Sequence, residues 1–138
     1  MTAKEYLMRA RTLQNAMDIK IDQLKRLREK VSFLKSPTIS DMPKATGGYD
    51  WTKAVDMLVD LEGQYQREIG AMMREWLEIK DAIAMVDDAR YRDLLEARYI
   101  NGWSWAEIAA QFGCTERNVY RMHGLALLAV VVPGKYRR

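Results

Sequence analysis

The chain is poor in the side chains that carry most enzyme chemistry. Its 138 residues include one cysteine, Cys114, and one histidine, His123. A single thiol excludes an internal disulfide and a cysteine-built zinc cluster. A single imidazole leaves a histidine metal site or a catalytic triad short of parts. No nucleophile–base pair stands out, so no enzyme, metal, cofactor or small-molecule substrate is expected. Proline occurs three times and glycine eight times, which favours long helices. The longest apolar run, Leu125 to Val132, spans eight residues. A membrane helix needs roughly 20, so no membrane partner is expected. No basic–apolar–small segment opens the chain, so a cytoplasmic location is expected.

What is present is charge, and its distribution is more informative than its total. Lys and Arg number 22 against 19 Asp and Glu, a net charge of +3. Residues 1–35 hold nine basic and four acidic side chains, net +5; residues 51–86 hold four and seven, net −3. After Glu116 come Arg117, Arg121, Lys135, Arg137 and Arg138 with no acid among them. The small total therefore conceals a basic first segment, an acidic second one and a basic end.

Apolar spacing predicts an all-α chain. Tyr6, Ala10, Leu13, Met17, Leu24, Leu27, Val31 and Leu34 fall at alternating steps of four and three, interrupted by Lys20. This is a heptad seam, a coiled-coil signature, and predicts a helix over 4–35 with Thr2 and Glu5 as a capping box. Ser36-Pro37 stops it, and the prolines and Gly47-Gly48 predict a loop over 36–50. A second seam runs through Trp51, Val55, Leu58, Tyr65, Ile69, Met72, Trp76, Ile79, Ile83 and Val86. It predicts a helix over 51–86, folded back antiparallel on the first, basic against acidic. This hairpin, residues 1–86, reads as an oligomerisation or partner-binding arm. A homodimer is expected, because two helices alone leave apolar flanks open.

A second module is expected over 87–138. Asp87-Asp88 can cap a short helix through Tyr91, Leu94, Leu95 and Tyr99, and Asn101-Gly102 makes a turn. Trp105, Ile108, Ala109 and Phe112 then form an apolar face, Gly113-Cys114 breaks it, and Thr115 can cap a second helix on Val119, Met122, Ala126 and Val130. Small Ala109 permits a close helix crossing, and Gly113 permits the positive φ of a sharp turn. This is helix-turn-helix spacing. The free face of the second helix carries Glu116, Arg117, Asn118, Tyr120 and Arg121, whose guanidinium, amide and phenol groups suit base edges and phosphates in double-stranded DNA. Arg117, Asn118 and Arg121 are the expected base readers; Tyr120, Ser104 and Thr115 are the expected phosphate contacts. His123 is expected at phosphate or water. Leu125–Val132 is expected to lengthen the recognition helix, and Lys135, Arg137 and Arg138 to form a basic tip.

The segments Tyr91 to Tyr99, Trp105 to Ala109 and Thr115 to Leu128 resemble region 4 of bacterial sigma factors. There a segment ending like Ala97-Arg98-Tyr99 precedes an "EIA" helix, and the recognition helix ends in a pair matched by Ala126-Leu127. The resemblance implies promoter DNA as a partner and contact with host RNA polymerase. It also places Glu116, Arg117, Tyr120 and Arg121 at base- and phosphate-facing positions. The recognition helix has only two basic residues, and no sigma region 2 is present. The whole chain resembles a family of small phage and prophage proteins of Gram-positive bacteria, through Lys4-Glu5-Tyr6-Leu7 and the loop motif Ser40-Asp41-Met42-Pro43. Related phage regulators of the ArpU and RinA type activate late genes. The resemblance implies a phage transcription regulator associated with the nucleoid of the bacterial host. The alternative is an interaction module that binds polymerase or a phage protein without reading DNA. A small-terminase adaptor fits less well, since those place the DNA-binding part before the oligomerisation helices.

Overall fold

A computed structural model of the chain describes residues 1–36 and 51–136. The loop motif Ser40–Pro43 and the basic residues Arg137 and Arg138 lie outside the described residues. Those described are all-α, without a strand. Helix α1 spans Ala3–Leu34 and α2 spans Trp51–Ala84. Three shorter helices follow: α3 (Ala89–Leu95), α4 (Trp105–Phe112) and α5 (Glu116–Leu128). A single π-helical turn, Glu96–Ile100, extends α3. Among the described residues no helix is long and apolar enough to cross a membrane.

The capping box closes reciprocally at the start of α1. The Glu5 backbone N–H donates to Thr2 Oγ1 at 3.2 Å, and the Thr2 N–H donates to a Glu5 carboxylate oxygen at 3.3 Å. The first seam faces inward from Tyr6 to Val31, with Tyr6, Ala10, Leu13, Met17, Leu24, Leu27 and Val31 buried, and Leu34 at its end is only partly so. A fully buried aliphatic or aromatic side chain contributes about 1.5–3 kcal/mol, so this row dominates the stability of α1. Lys20, the break in the seam, bends to the edge. Its ammonium pairs with Glu68 at 3.1 Å and lies 4.6 Å from the centre of the Tyr65 ring.

The residues group into two compact units, one of 16–72 and one of 1–15 with 73–138. In the first, Lys20 pairs with Glu68 and Arg28 with Glu62, so the two helices run antiparallel. The expected basic-to-acidic pairing is thus realised, although exposed pairs of this kind contribute less than about 1 kcal/mol each.

The second unit joins the start of α1 and the end of α2 to the three short helices. Arg9 pairs with Glu75 across α1 and α2. The segment after α5 also lies on these helices. The Tyr136 ring packs on Tyr6 with centroids 5.5 Å apart, its hydroxyl donates to Glu75 at 3.3 Å, and Lys135 pairs with Glu78 at 3.0 Å. Lys135 is therefore held by an acid rather than standing in a free basic tip. The apolar run also differs from expectation. Helix α5 stops at Leu128 instead of continuing to Val132, and Leu125, Leu128 and Val131 are exposed while Ala126 and Val130 are buried. Helical rotation accounts for buried Ala126 between exposed Leu125 and Leu128, and the β-branched run Val130–Val132 before Pro133 disfavours continuing the helix.

Candidate nucleic-acid interface

The site is built from local signals read in order along the chain. Asp88 starts α3, its carboxylate accepting the N–H groups of Arg90 at 2.9 Å and Tyr91 at 3.2 Å. Leu94 and Leu95 are fully buried and anchor α3. The helix then widens by one residue per turn, and the Asn101 N–H reaches back to the Glu96 carbonyl at 2.9 Å. Gly102, at φ +75°, reverses the chain, which costs a side-chain-bearing residue roughly 1–2 kcal/mol. The Trp103 N–H bonds the Ala97 carbonyl at 2.9 Å, and the Arg98 guanidinium donates to the Trp103 carbonyl at 3.0 Å.

Ser104 caps α4 by accepting the Glu107 N–H at 3.1 Å. Ile108 and Ala109 are buried on its inner face. Gly113 ends it in the left-handed region at φ 66°, ψ 37°, and the Cys114 N–H closes on the Ala109 carbonyl at 3.0 Å. Thr115 then caps α5 by accepting the Asn118 N–H at 3.1 Å. Helix α5 packs on α3 and α4 through Val119, Met122, His123 and Ala126. Two capped helices joined through a left-handed glycine constitute a helix-turn-helix.

Glu116, Arg117, Tyr120 and Arg121 are exposed on α5, and Asn118 is partly so. Arg121 donates through Nε at 3.1 Å and Nη2 at 3.0 Å to Asn118 Oδ1. That fork fixes the guanidinium plane and leaves its outer N–H groups for an acceptor. The Asn118 oxygen is engaged by Arg121, while its amide N–H groups are left to donate. Ser104 and Thr115 use their oxygens as acceptors in the caps, so their hydroxyl protons are free to donate to phosphate. Glu116 in the first turn of α5 offers acceptors to a cytosine amine. Tyr120 sits edge-on to Trp105 with centroids 5.3 Å apart.

His123 does not reach the surface. It is buried, shares a 2.7 Å hydrogen bond with the Tyr99 hydroxyl, and lies edge-on to Trp105 at 4.7 Å. Burial pushes its pKa down to about 4, with nearby Lys4 and Arg98 adding to the shift. Burial also raises the pKa of Tyr99. Both groups are therefore neutral, and His123 is a core residue rather than a phosphate or water contact. Periodicity puts His123 at the edge of the apolar face that Met122 occupies, a place that does not separate a core histidine from an exposed one.

Residues 88–130 match the family model of sigma-70, region 4. Comparison with curated proteins and with solved structures returns no match. The matched segment covers α3, the π turn, α4 and α5, so the helix-turn-helix is similar to sigma-70 region 4. Residues that spacing did not single out also shape it. Arg98 stacks over Trp105 at 4.2 Å, and Arg90 lies 5.6 Å from the Phe112 ring centre. The Arg11 guanidinium, from α1, stands so close to Gly102 that it leaves no room for a Cβ there.

Proposed function

We propose that the chain is a sequence-specific, DNA-binding transcription regulator of the phage type. Helix α5 enters the major groove, with Arg117, Asn118 and Arg121 toward base edges and Glu116 beside them. Ser104, Thr115 and Tyr120 meet phosphate. The observation that carries the reading is the pairing of a doubly capped helix-turn-helix with an outward face of Arg117 and an oriented Arg121. The match of this segment to sigma-70 region 4 supports it. Residues 87–138 are the DNA-binding module in this reading, and host RNA polymerase is a second partner on the bacterial nucleoid. Residues 1–86 form a coiled-coil arm through which two copies join. Exposed Ile19, Phe33 and Met57 on the long helices favour that role.

The test is selection of bound sequences from random DNA, followed by affinity measurement on the selected duplex. Arg121→Ala should cost about 1–3 kcal/mol and relax preference at one base position. Unchanged affinity and preference would remove Arg121 from the interface. Exposed Leu125, Leu128 and Val131 favour a second reading, an apolar surface for a protein partner. Capture of host polymerase with no DNA binding at low salt would select it.

A further inference from the structure

Contacts lead from the recognition helix to the first helix of the chain. Tyr120 on α5 meets the Trp105 ring, and Arg98 stacks on that ring at 4.2 Å. Arg98 also donates to the Trp103 carbonyl, and Gly102 beside it abuts the Arg11 guanidinium. Lys4, one helical stretch earlier on α1, lies close enough to bear electrostatically on His123. Arg11 and Arg98 thus meet at the entry to α4, just before the capping hydroxyl of Ser104, and Lys4, seven residues before Arg11, is exposed on the same side of α1.

Acids neutralise five cations of the long helices and the tail: Arg9 by Glu75, Lys20 by Glu68, Arg26 by Asp22, Arg28 by Glu62 and Lys135 by Glu78. Among the described residues, Lys4, Arg11 and Arg98 form no ion pair. Clustered cations repel one another, and a polyanion laid across them removes that cost while releasing its own counterions.

We propose that Arg11, Lys4 and Arg98 form a phosphate-binding shelf, so that the N-terminal helix is part of the DNA interface. The proposal rests on α5 being the DNA-facing helix. The backbone strand that passes Ser104 and Tyr120 continues over Gly102 onto α1. The shelf supplies charge without reading sequence, which offsets the shortage of basic residues on α5. Gly102 serves it twice, by turning the chain and by leaving room for the Arg11 head group.

The experiment is a salt series of binding by the full chain to a mixed-sequence duplex and to its selected duplex. Arg11→Gln should flatten the slope of log affinity against log salt by about 0.9 and weaken both duplexes alike. Arg11→Lys should keep the slope, and Arg26→Gln, in a pair outside the shelf, should leave it unchanged. Lys4→Gln, at an exposed position, repeats the test should Arg11→Gln melt early. Wild-type slopes in both Gln variants would overturn the shelf while leaving DNA binding intact. Absence of any DNA binding by the wild type would overturn the functional reading and the shelf with it.

Discussion

A neutral imidazole in a protein core ties stability to acidity. The folded-state pKa of His123, pushed down to about 4, lies below the ordinary value of 6.5. Between these values the unfolded chain binds a proton that the folded chain refuses, so stability must fall as pH falls. The contribution is complete above pH 6.5 and is lost on acidification toward about 4, a difference of up to about 3 kcal/mol. Denaturant melts from pH 7.5 to 4.5 should show this decline in the wild type and little of it in His123→Phe. Glu75 and Glu68, whose carboxyls are held below the usual range by hydrogen bonds to Arg9 and Gln64 respectively, add their own loss only at the acid end. None of this was readable from the sequence. Burial of His123 depends on Tyr99 and Trp105, and a lone histidine at the edge of an apolar stripe carries no mark of a partner 24 residues away.

At the scale of elements, the caps were the most legible features, because each acts over three or four residues. Ser104, Gly113, Thr115, Asp88 and the Thr2–Glu5 box sit where local hydrogen-bonding and positive φ require them. The π turn was not legible. A widened turn costs helix geometry and is recovered by the contacts that follow it, here the Trp103 bonds to Ala97 and Arg98. The end of α5 was overestimated because an apolar run was taken for one helix, although its three β-branched valines stand directly before Pro133. Gly124 stands inside α5 with no heavy atom within 4 Å of a Cβ built on it. Helix propensity then acts unopposed, and Gly124→Ala should stabilise the fold by about 1 kcal/mol in thermal melts. Gly113→Ala has equal space but φ +66°, so it should destabilise instead.

At the scale of the whole molecule, the seams of α1 and α2 were legible as a hairpin, and the ion pairs Lys20–Glu68, Arg28–Glu62 and Arg9–Glu75 realise its direction. The long-range joins were not. Arg11 reaches Gly102, and Tyr136 reaches Tyr6 and Glu75, across separations that leave no trace in periodicity. Tyr136 is half-buried, and its ring contact outweighs a 3.3 Å bond to a carboxylate that Arg9 already satisfies. Tyr136→Ala should therefore lower stability by about 1–2 kcal/mol in denaturant melts, and Tyr136→Phe by much less.

The assembly of one compact unit from residues 1–15 and 73–138 has a consequence in time. A chain is made from its first residue onward, and domains complete only when their last contacts are available. The opening turns of α1 therefore emerge with Tyr6, Leu7 and Ala10 uncovered, and they wait for α2, the helix-turn-helix and Tyr136 to follow. Unit 16–72 needs no such delay, because its residues are contiguous. Synthesis thus separates the two units by order of completion. The unit that holds the helix-turn-helix closes after the other, and residues 1–15 wait for partners made much later.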